Sequence, residues 1–323
     1  MKIKPFLLVG GPVLLAAAMA YRHFIYSPAP KKPRLSAPVQ PGTIRVGERE
    51  RHYRTFVPAQ RPAKAPLVLV LHGSAMSSKA MRPYTGYVFD ELADQHGFAV
   101  AYPDGYKGNW HDCRRDTTFP AKTENIDDMG FLRALVGRLC AEHDLDPARV
   151  FAFGYSNGGQ MAFRLAVEEP RLVEAVAATG ANLPVPEAST CAQDGPTARV
   201  LVVSGTKDPI SPFGGGEVTI FGFHSRGFTI SARATVEEFA RRNGLTATPV
   251  TTALPHQRPA DPTSVEAVVW AREDGMPVVA FYPVWGGGHV IPQPNFRAPR
   301  FLGATSGDLN LPEQAVRFFE LLG

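Results

Sequence analysis

The chain has 323 residues, 44% of them hydrophobic and 20% charged, which suits one large buried core and excludes a disordered or collagen-like polymer. Six of its 34 basic residues (Lys2, Lys4, Arg22, Lys31, Lys32, Arg34) fall before residue 35 with no acidic partner, leaving 28 basic against 30 acidic groups in the rest. A body of that balance lacks the clustered Lys and Arg that phosphate backbones require, which excludes nucleic acid as a partner.

In chain order, Lys2 and Lys4 precede an apolar run from Phe6 to Ala20 ending in Ala18-Met19-Ala20, the small-x-small pattern of a secretory cleavage site. The run is shorter than the ~20 residues of a spanning helix, and Gly10, Gly11 and Pro12 weaken a span further. Residues 1–26 therefore read as a signal peptide or, if uncleaved and extended by Tyr21, Phe24, Ile25 and Tyr26, as a membrane anchor. Both readings put the folded part in the extracellular space or periplasm, free or tethered to the membrane. Residues 27–41 (SPAPKKPRLSAPVQP) are rich in Pro and basic groups and read as an extended linker. Residues 42–323 show no internal repeat or composition break and read as one domain.

Within that domain short apolar strands alternate with helical patterns, the signature of an α/β fold with a mostly parallel sheet and helices on both faces. Arg51–Val57 alternates as an early, partly exposed strand. Leu67–Leu71 (LVLVL) is apolar throughout, as a strand buried on both faces must be, and Phe98–Tyr102, Val150–Phe153, Ala175–Ala178, Val200–Ser204 and Val278–Tyr282 follow in the same style. Residues 127–143 align Phe131, Leu132, Leu135, Val136, Leu139 and Cys140 on one helical stripe, with Asp127 or Asp128 as N-cap. Further helices are predicted at 157–168, 231–243 and 312–322. The stretch 180–199 is too short for a large cap domain, so an open site is expected. Cys113 and Cys191 both lie in polar, loop-like sequence and can pair in an oxidising compartment, although connectivity does not follow from sequence. Cys140 reads as an inert core thiol.

The chemistry-bearing signal is Gly154-Tyr155-Ser156-Asn157-Gly158 between the strand VFAF and a helix. A turn this sharp needs flanking glycines and projects Ser156 from the top of the sheet as a nucleophile. A serine hydroxyl needs a base, and the base an orienting acid, in the chain order Ser, acid, His. Asp208 follows strand Val200–Ser204, at a carboxyl-terminal strand end where ligand-handling residues gather; Asp261 and Asp274 lie in less favourable turns. His289 follows the last core strand in Gly286-Gly287-Gly288-His289, whose glycines let a loop bend over the serine. Ser74, after strand LVLVL, and Asn157 are the expected backbone N–H donors of an oxyanion hole, with His72 holding the first of these loops. Trp110, Phe213 and Trp285 are candidate aromatic contacts for an acyl or aryl group. With no dinucleotide fingerprint, phosphate loop or metal-ligand cluster, no cofactor or metal is expected.

The segments LVLHGS, GFAVAYPDGY, NIDDMGFLRAL, VFAFGYSNGGQMAFRLA, VSGTKDPISPFGGG and GGGH resemble, in order across residues 52–292, the polyhydroxybutyrate depolymerase and feruloyl esterase group of α/β-hydrolases. The resemblance implies an α/β-hydrolase fold and a secreted serine esterase acting on polyhydroxyalkanoate-type polyesters, or on feruloyl or acetyl esters of plant polysaccharides. Ser156, Asp208 and His289 fall on that group's triad positions. Where the group carries a Thr-Trp-Pro type sequence after the histidine, this chain has Val290-Ile291-Pro292, which bears on the choice of ester. A hydrolase-fold binding module without activity is the alternative from another functional class. Oligomeric state is not legible in the sequence.

Overall fold

A computed structural model describes residues 14, 15 and 17–322. Most of the apolar run Phe6–Ala20, and with it the core of the signal-peptide or anchor reading, lies outside the described residues. Among the described residues no helix is long and apolar enough to cross a membrane.

The strands are β1 (Gln40–Val46), β2 (Arg49–Phe56), β3 (Ala65–Leu71), β4 (Ala99–Pro103), β5 (Leu145–Tyr155), β6 (Ala175–Thr179), β7 (Arg199–Gly205), β8 (Gly216–Ile220), β9 (Phe223–Thr229), β10 (Val250–Ala253), β11 (Ser264–Ala271) and β12 (Pro277–Trp285). The helices are α1 (Ser78–Tyr84), α2 (Val88–His96), α3 (Pro120–Thr123), α4 (Asp128–His143), α5 (Asn157–Glu168), α6 (Ala232–Arg242) and α7 (Leu311–Phe318). Ten strands form one sheet in the order β1-β2-β4-β3-β5-β6-β7-β12-β11-β10. The centre from β4 to β12 is parallel, and the two outer strands on each side are antiparallel. The remaining two, β8 and β9, form a separate hairpin between β7 and α6.

Successive side chains of a strand point to opposite faces, so a fully apolar strand feeds two cores. Leu67, Leu69 and Leu71 enter the core under α4, α5 and α6, with Phe131, Leu135, Met161 and Phe239. Val68 and Val70 enter the opposite core, with Met81, Phe89, Val316 and Phe319 from the α1, α2 and α7 side. Asp127 caps α4 by accepting from Gly130 N at 2.7 Å. Its neighbour Asp128 is buried and pairs with Arg51 of β2 at 2.6 Å, so one of the charged residues of the early strand is drawn into the interior. Leu35, Ala37 and Val39, late in the Pro-rich segment, pack against the second core, and Ser36 N donates to Asp94 at 2.9 Å. Half of that stretch is thus docked on the body rather than extended into solvent.

Candidate active site

β5 ends at Tyr155 and α5 begins at Asn157, so a single residue reverses the chain. Ser156 does this at φ 55° and ψ −118°, a conformation L-residues hold only where the surroundings enforce it. The enforcement is close backbone contact. A Cβ on Gly154 would stand 2.1 Å from Gly158 O, and one on Gly158 would stand 2.3 Å from Leu71 O.

The loops after β7 and β12 meet beside Ser156 because these strands are parallel neighbours, with Val284 opposite Gly205. They are stitched together: Thr206 N donates to Val284 O at 3.0 Å, Lys207 N to Gly287 O at 2.9 Å, and Gly286 N to Thr206 Oγ1 at 2.8 Å. Gly288 passes so near Leu302 that a Cβ there would lie 2.1 Å from its carbonyl oxygen, and His289 N donates to that same carbonyl at 2.7 Å. His289 Nε2 then lies 2.9 Å from Ser156 Oγ, and Nδ1 lies 2.7 Å from Asp208 Oδ2. The His289 and Asp208 side chains are only 3% and 2% exposed, so water competes little with either contact. Asp208 Oδ1 accepts from Ile210 N and Ser211 N, both at 2.8 Å, which fixes the carboxylate plane. Such a chain can withdraw the serine proton and stabilise the imidazolium that results.

Ser74 and Asn157 both border the cavity beside Ser156, and among the described residues neither backbone N–H donates to another protein group. His72 supports the first loop. Its Nδ1 lies 2.7 Å from Gly73 O, and its Nε2 accepts from Gly105 N at 2.9 Å. Burial pushes its pKa below the ordinary value, consistent with a neutral ring protonated on Nδ1. Asn157 is held through its side chain. Asn157 Oδ1 accepts from Trp110 N at 2.8 Å, and Nδ2 donates to Asp112 Oδ2 at 2.6 Å. Asp112 is fully buried and pairs with Arg114 at 2.5 Å. Between them, Cys113 forms a disulfide with Cys191, tying this loop to the segment after β6. Cys140 remains a free, half-buried thiol whose pKa burial raises.

The cavity over Ser156 measures about 290 Å³ and has Met76, Phe119, Ile210, Val218, Ile220 and Leu302 among its apolar walls. Trp110, Phe213 and Trp285 are not among its lining residues. Trp110 is fully buried, with Nε1 donating to His72 O at 2.9 Å, so its indole anchors a loop. Phe213 packs against Phe281 and Trp285, and Trp285 is 46% exposed on the outer side of that pair. The apolar walls come instead from Met76, Phe119, Ile210 and Leu302 and from Val218 and Ile220 of the β8–β9 hairpin. This hairpin follows Asp208 rather than filling 180–199, and it brings Val218 and Ile220 to the cavity. Among the described residues no three His, Cys, Asp or Glu side chains are grouped to hold a metal ion.

A family model described as esterase PHB depolymerase matches residues 52–194. NocK of Nocardia uniformis subsp. tsuyamanensis, named as an esterase, is 33% identical over 309 residues, covering 92% of this chain and 87% of its own. Poly(3-hydroxyalkanoate) depolymerase C of Paucimonas lemoignei is 29% identical across 73% of this chain, and Feruloyl esterase B of Neurospora crassa 30% identical across 38%. The chain spans 57% and 41% of the lengths of these two relatives. Among solved structures, acetyl xylan esterase from Aspergillus awamori superposes over 84% of this chain and 94% of its own with a TM-score of 0.55 at 17% identity, a likeness of fold.

Proposed function

The chain belongs to the esterase PHB depolymerase family of α/β-hydrolase-fold esterases, and on that premise we propose that it hydrolyses carboxylic esters with Ser156 as nucleophile, His289 as base and acid, and Asp208 as the orienting carboxylate. The supporting observation is the unbroken series of contacts from Asp208 through His289 to Ser156 at a strained strand-to-helix turn. His289 Nε2 takes the Ser156 proton as Oγ bonds to the ester carbonyl carbon. The oxyanion is received by the N–H groups of Ser74 and Asn157, each worth about 10²–10³ in rate when well aimed. His289 then protonates the departing alcohol. A water, deprotonated by the same imidazole, releases the acid and regenerates the hydroxyl. None of these steps calls for a cofactor.

The substrates are hydroxyalkanoate-type esters, as oligomers or polymer ends. A pocket of about 290 Å³ with apolar walls suits one or two short units, and one relative carries a poly(3-hydroxyalkanoate) depolymerase name. Residues 42–323 are the catalytic unit and residues 1–26 its export or anchoring segment. The Cys113–Cys191 bridge supports work in an oxidising compartment outside the cytoplasm. A panel of 3-hydroxybutyrate oligomers, methyl ferulate and acetylated xylan tests the reading. The oligomers are expected to turn over fastest and Ser156→Ala to abolish the activity. Faster hydrolysis of ferulate or acetylxylan reassigns the substrate, and undiminished turnover by Ser156→Ala removes the nucleophile.

A further inference from the structure

We propose that Arg226 is a carboxylate-binding subsite and that the preferred substrates are esters carrying a free carboxylate; this rests on the esterase reading above and specifies its substrate class. Arg226 lies on β9 of the hairpin and borders the same cavity as Ser156 and His289. Its guanidinium carbon sits 4.3 Å from the centroid of the Phe119 ring, within cation–π reach. Its Nε is buried and has no hydrogen-bond partner among the described residues.

Arg51, Arg114 and Arg199, the buried arginines, and Arg82, 13% exposed, each hold a carboxylate at 2.5–2.9 Å. Arg226, partly buried, pairs with no carboxylate among the described residues, as is also true of Arg54, but Arg226 borders the cavity over Ser156. The charged group facing it is Arg114, whose own Nε and Nη2 are engaged with Asp112 and whose Nη1 donates to the Arg226 carbonyl at 3.2 Å. The Asp112 charge is thus consumed within its own pair and with Asn157. Burial and the neighbouring Arg114 lower the Arg226 pKa from its ordinary value, yet a guanidinium stays protonated at neutral pH. A partly desolvated cation with no carboxylate partner among the described residues gains from an anion that completes it. A carboxylate matches the guanidinium fork in two parallel hydrogen bonds. The free-acid end of a hydroxyacid oligomer supplies such a group on the alcohol side of the scissile bond, and a dicarboxylic acid monoester supplies it on the acyl side.

The test compares matched esters. On the alcohol side the 3-hydroxybutyrate dimer is set against its primary amide, and on the acyl side the mono-p-nitrophenyl ester of glutaric acid against p-nitrophenyl valerate. Wild type should favour the charged member of at least one pair by about tenfold or more in kcat/KM, and the pair that shows it identifies the side. In Arg226→Gln that ratio should collapse towards one, and Arg226→Lys should retain part of it, with thermal midpoints verifying that both variants fold. Equal rates within both pairs, or a preference that survives Arg226→Gln, overturns the subsite. Calorimetric titration with glutarate reads it without turnover, so it separates failure of the subsite from failure of the esterase reading. Binding weakened at least tenfold in Arg226→Gln supports the assignment, and absent or unchanged binding refutes it.

Discussion

The Tyr155 hydroxyl donates a 2.8 Å hydrogen bond to the backbone carbonyl of His289, so the residue preceding Ser156 also holds the loop that carries His289. Tyr155 in turn accepts from Tyr84 Oη at 3.1 Å. Burial pushes the Tyr84 pKa up to about 12 and that of Tyr155 well above the usual phenol value, so both stay protonated across the working range. Tyr155→Phe removes the donor and leaves the His289 carbonyl unsatisfied, a loss of about 1–3 kcal/mol. With His289 as the proposed base, a slackened His289 loop should lower kcat about tenfold while KM moves little. Steady-state kinetics on p-nitrophenyl butyrate distinguish this from a general packing defect, which would move both.

Asp208→Asn keeps an oxygen for the Ile210 and Ser211 amides but no longer orients or charge-stabilises the imidazole. By analogy with other triads, kcat should drop about 10⁴-fold with the thermal midpoint little changed. An intact rate would mean that His289 is oriented by something else.

No methyl group fits on Gly158, whose Cβ would stand 2.3 Å from Leu71 O and 2.5 Å from His72 O. Gly158→Ala must force β3 and the elbow apart. The expected outcome is a loss of about 3 kcal/mol or more in denaturant unfolding, together with loss of esterase activity.

The disulfide spans 78 residues and joins the loop that holds the Asn157 side chain to the segment after β6. Cys113→Ser should cost about 2–5 kcal/mol of stability. It should also lower kcat, because Asp112 and Arg114 flank the lost link. If urea unfolding of the variant matched wild type, the bridge would not constrain the fold.

His72 supplies a pH signature. Burial lowers its pKa below 6.5 in the folded chain, so above that pH the ring is neutral in both states. As pH falls below it, the unfolded chain binds the proton first and the folded state loses stability. His111 shifts in the same direction, while the raised pKa values of buried Asp90 and Asp128 act in the opposite sense. The informative quantity is therefore a difference. Between pH 6.5 and 5, the wild-type thermal midpoint should fall more steeply than that of His72→Gln, which retains an acceptor for Gly105 N. Parallel curves would contradict the assignment.

The central sheet is legible in the sequence because a strand covered on both sides must be apolar at every position, as Leu67–Leu71 is. The edge strands and the β8–β9 hairpin escape that rule. Phe223 is 72% exposed and Val218 is buried on a ribbon whose side chains mostly meet solvent, so neither alternation nor a continuous apolar run marks it. For the same reason Arg226, Ile220 and Val218 were invisible as cavity walls. Trp110 illustrates a different limit. An aromatic residue in a loop gives no sign of which way it faces, and here its ring is buried while its Nε1 finds the His72 carbonyl. Tyr155 lies inside the conspicuous Gly154–Gly158 motif, yet its bond to a residue far along the chain depends on β12 lying where it does.

Covalent labelling reads most directly whether His289 makes the Ser156 oxygen reactive. Incubation with a fluorophosphonate followed by peptide mass spectrometry should find one adduct, on Ser156, absent from Ser156→Ala and formed far more slowly in His289→Ala. Wild-type protein that stays unlabelled at Ser156, or labels equally fast without His289, would contradict it.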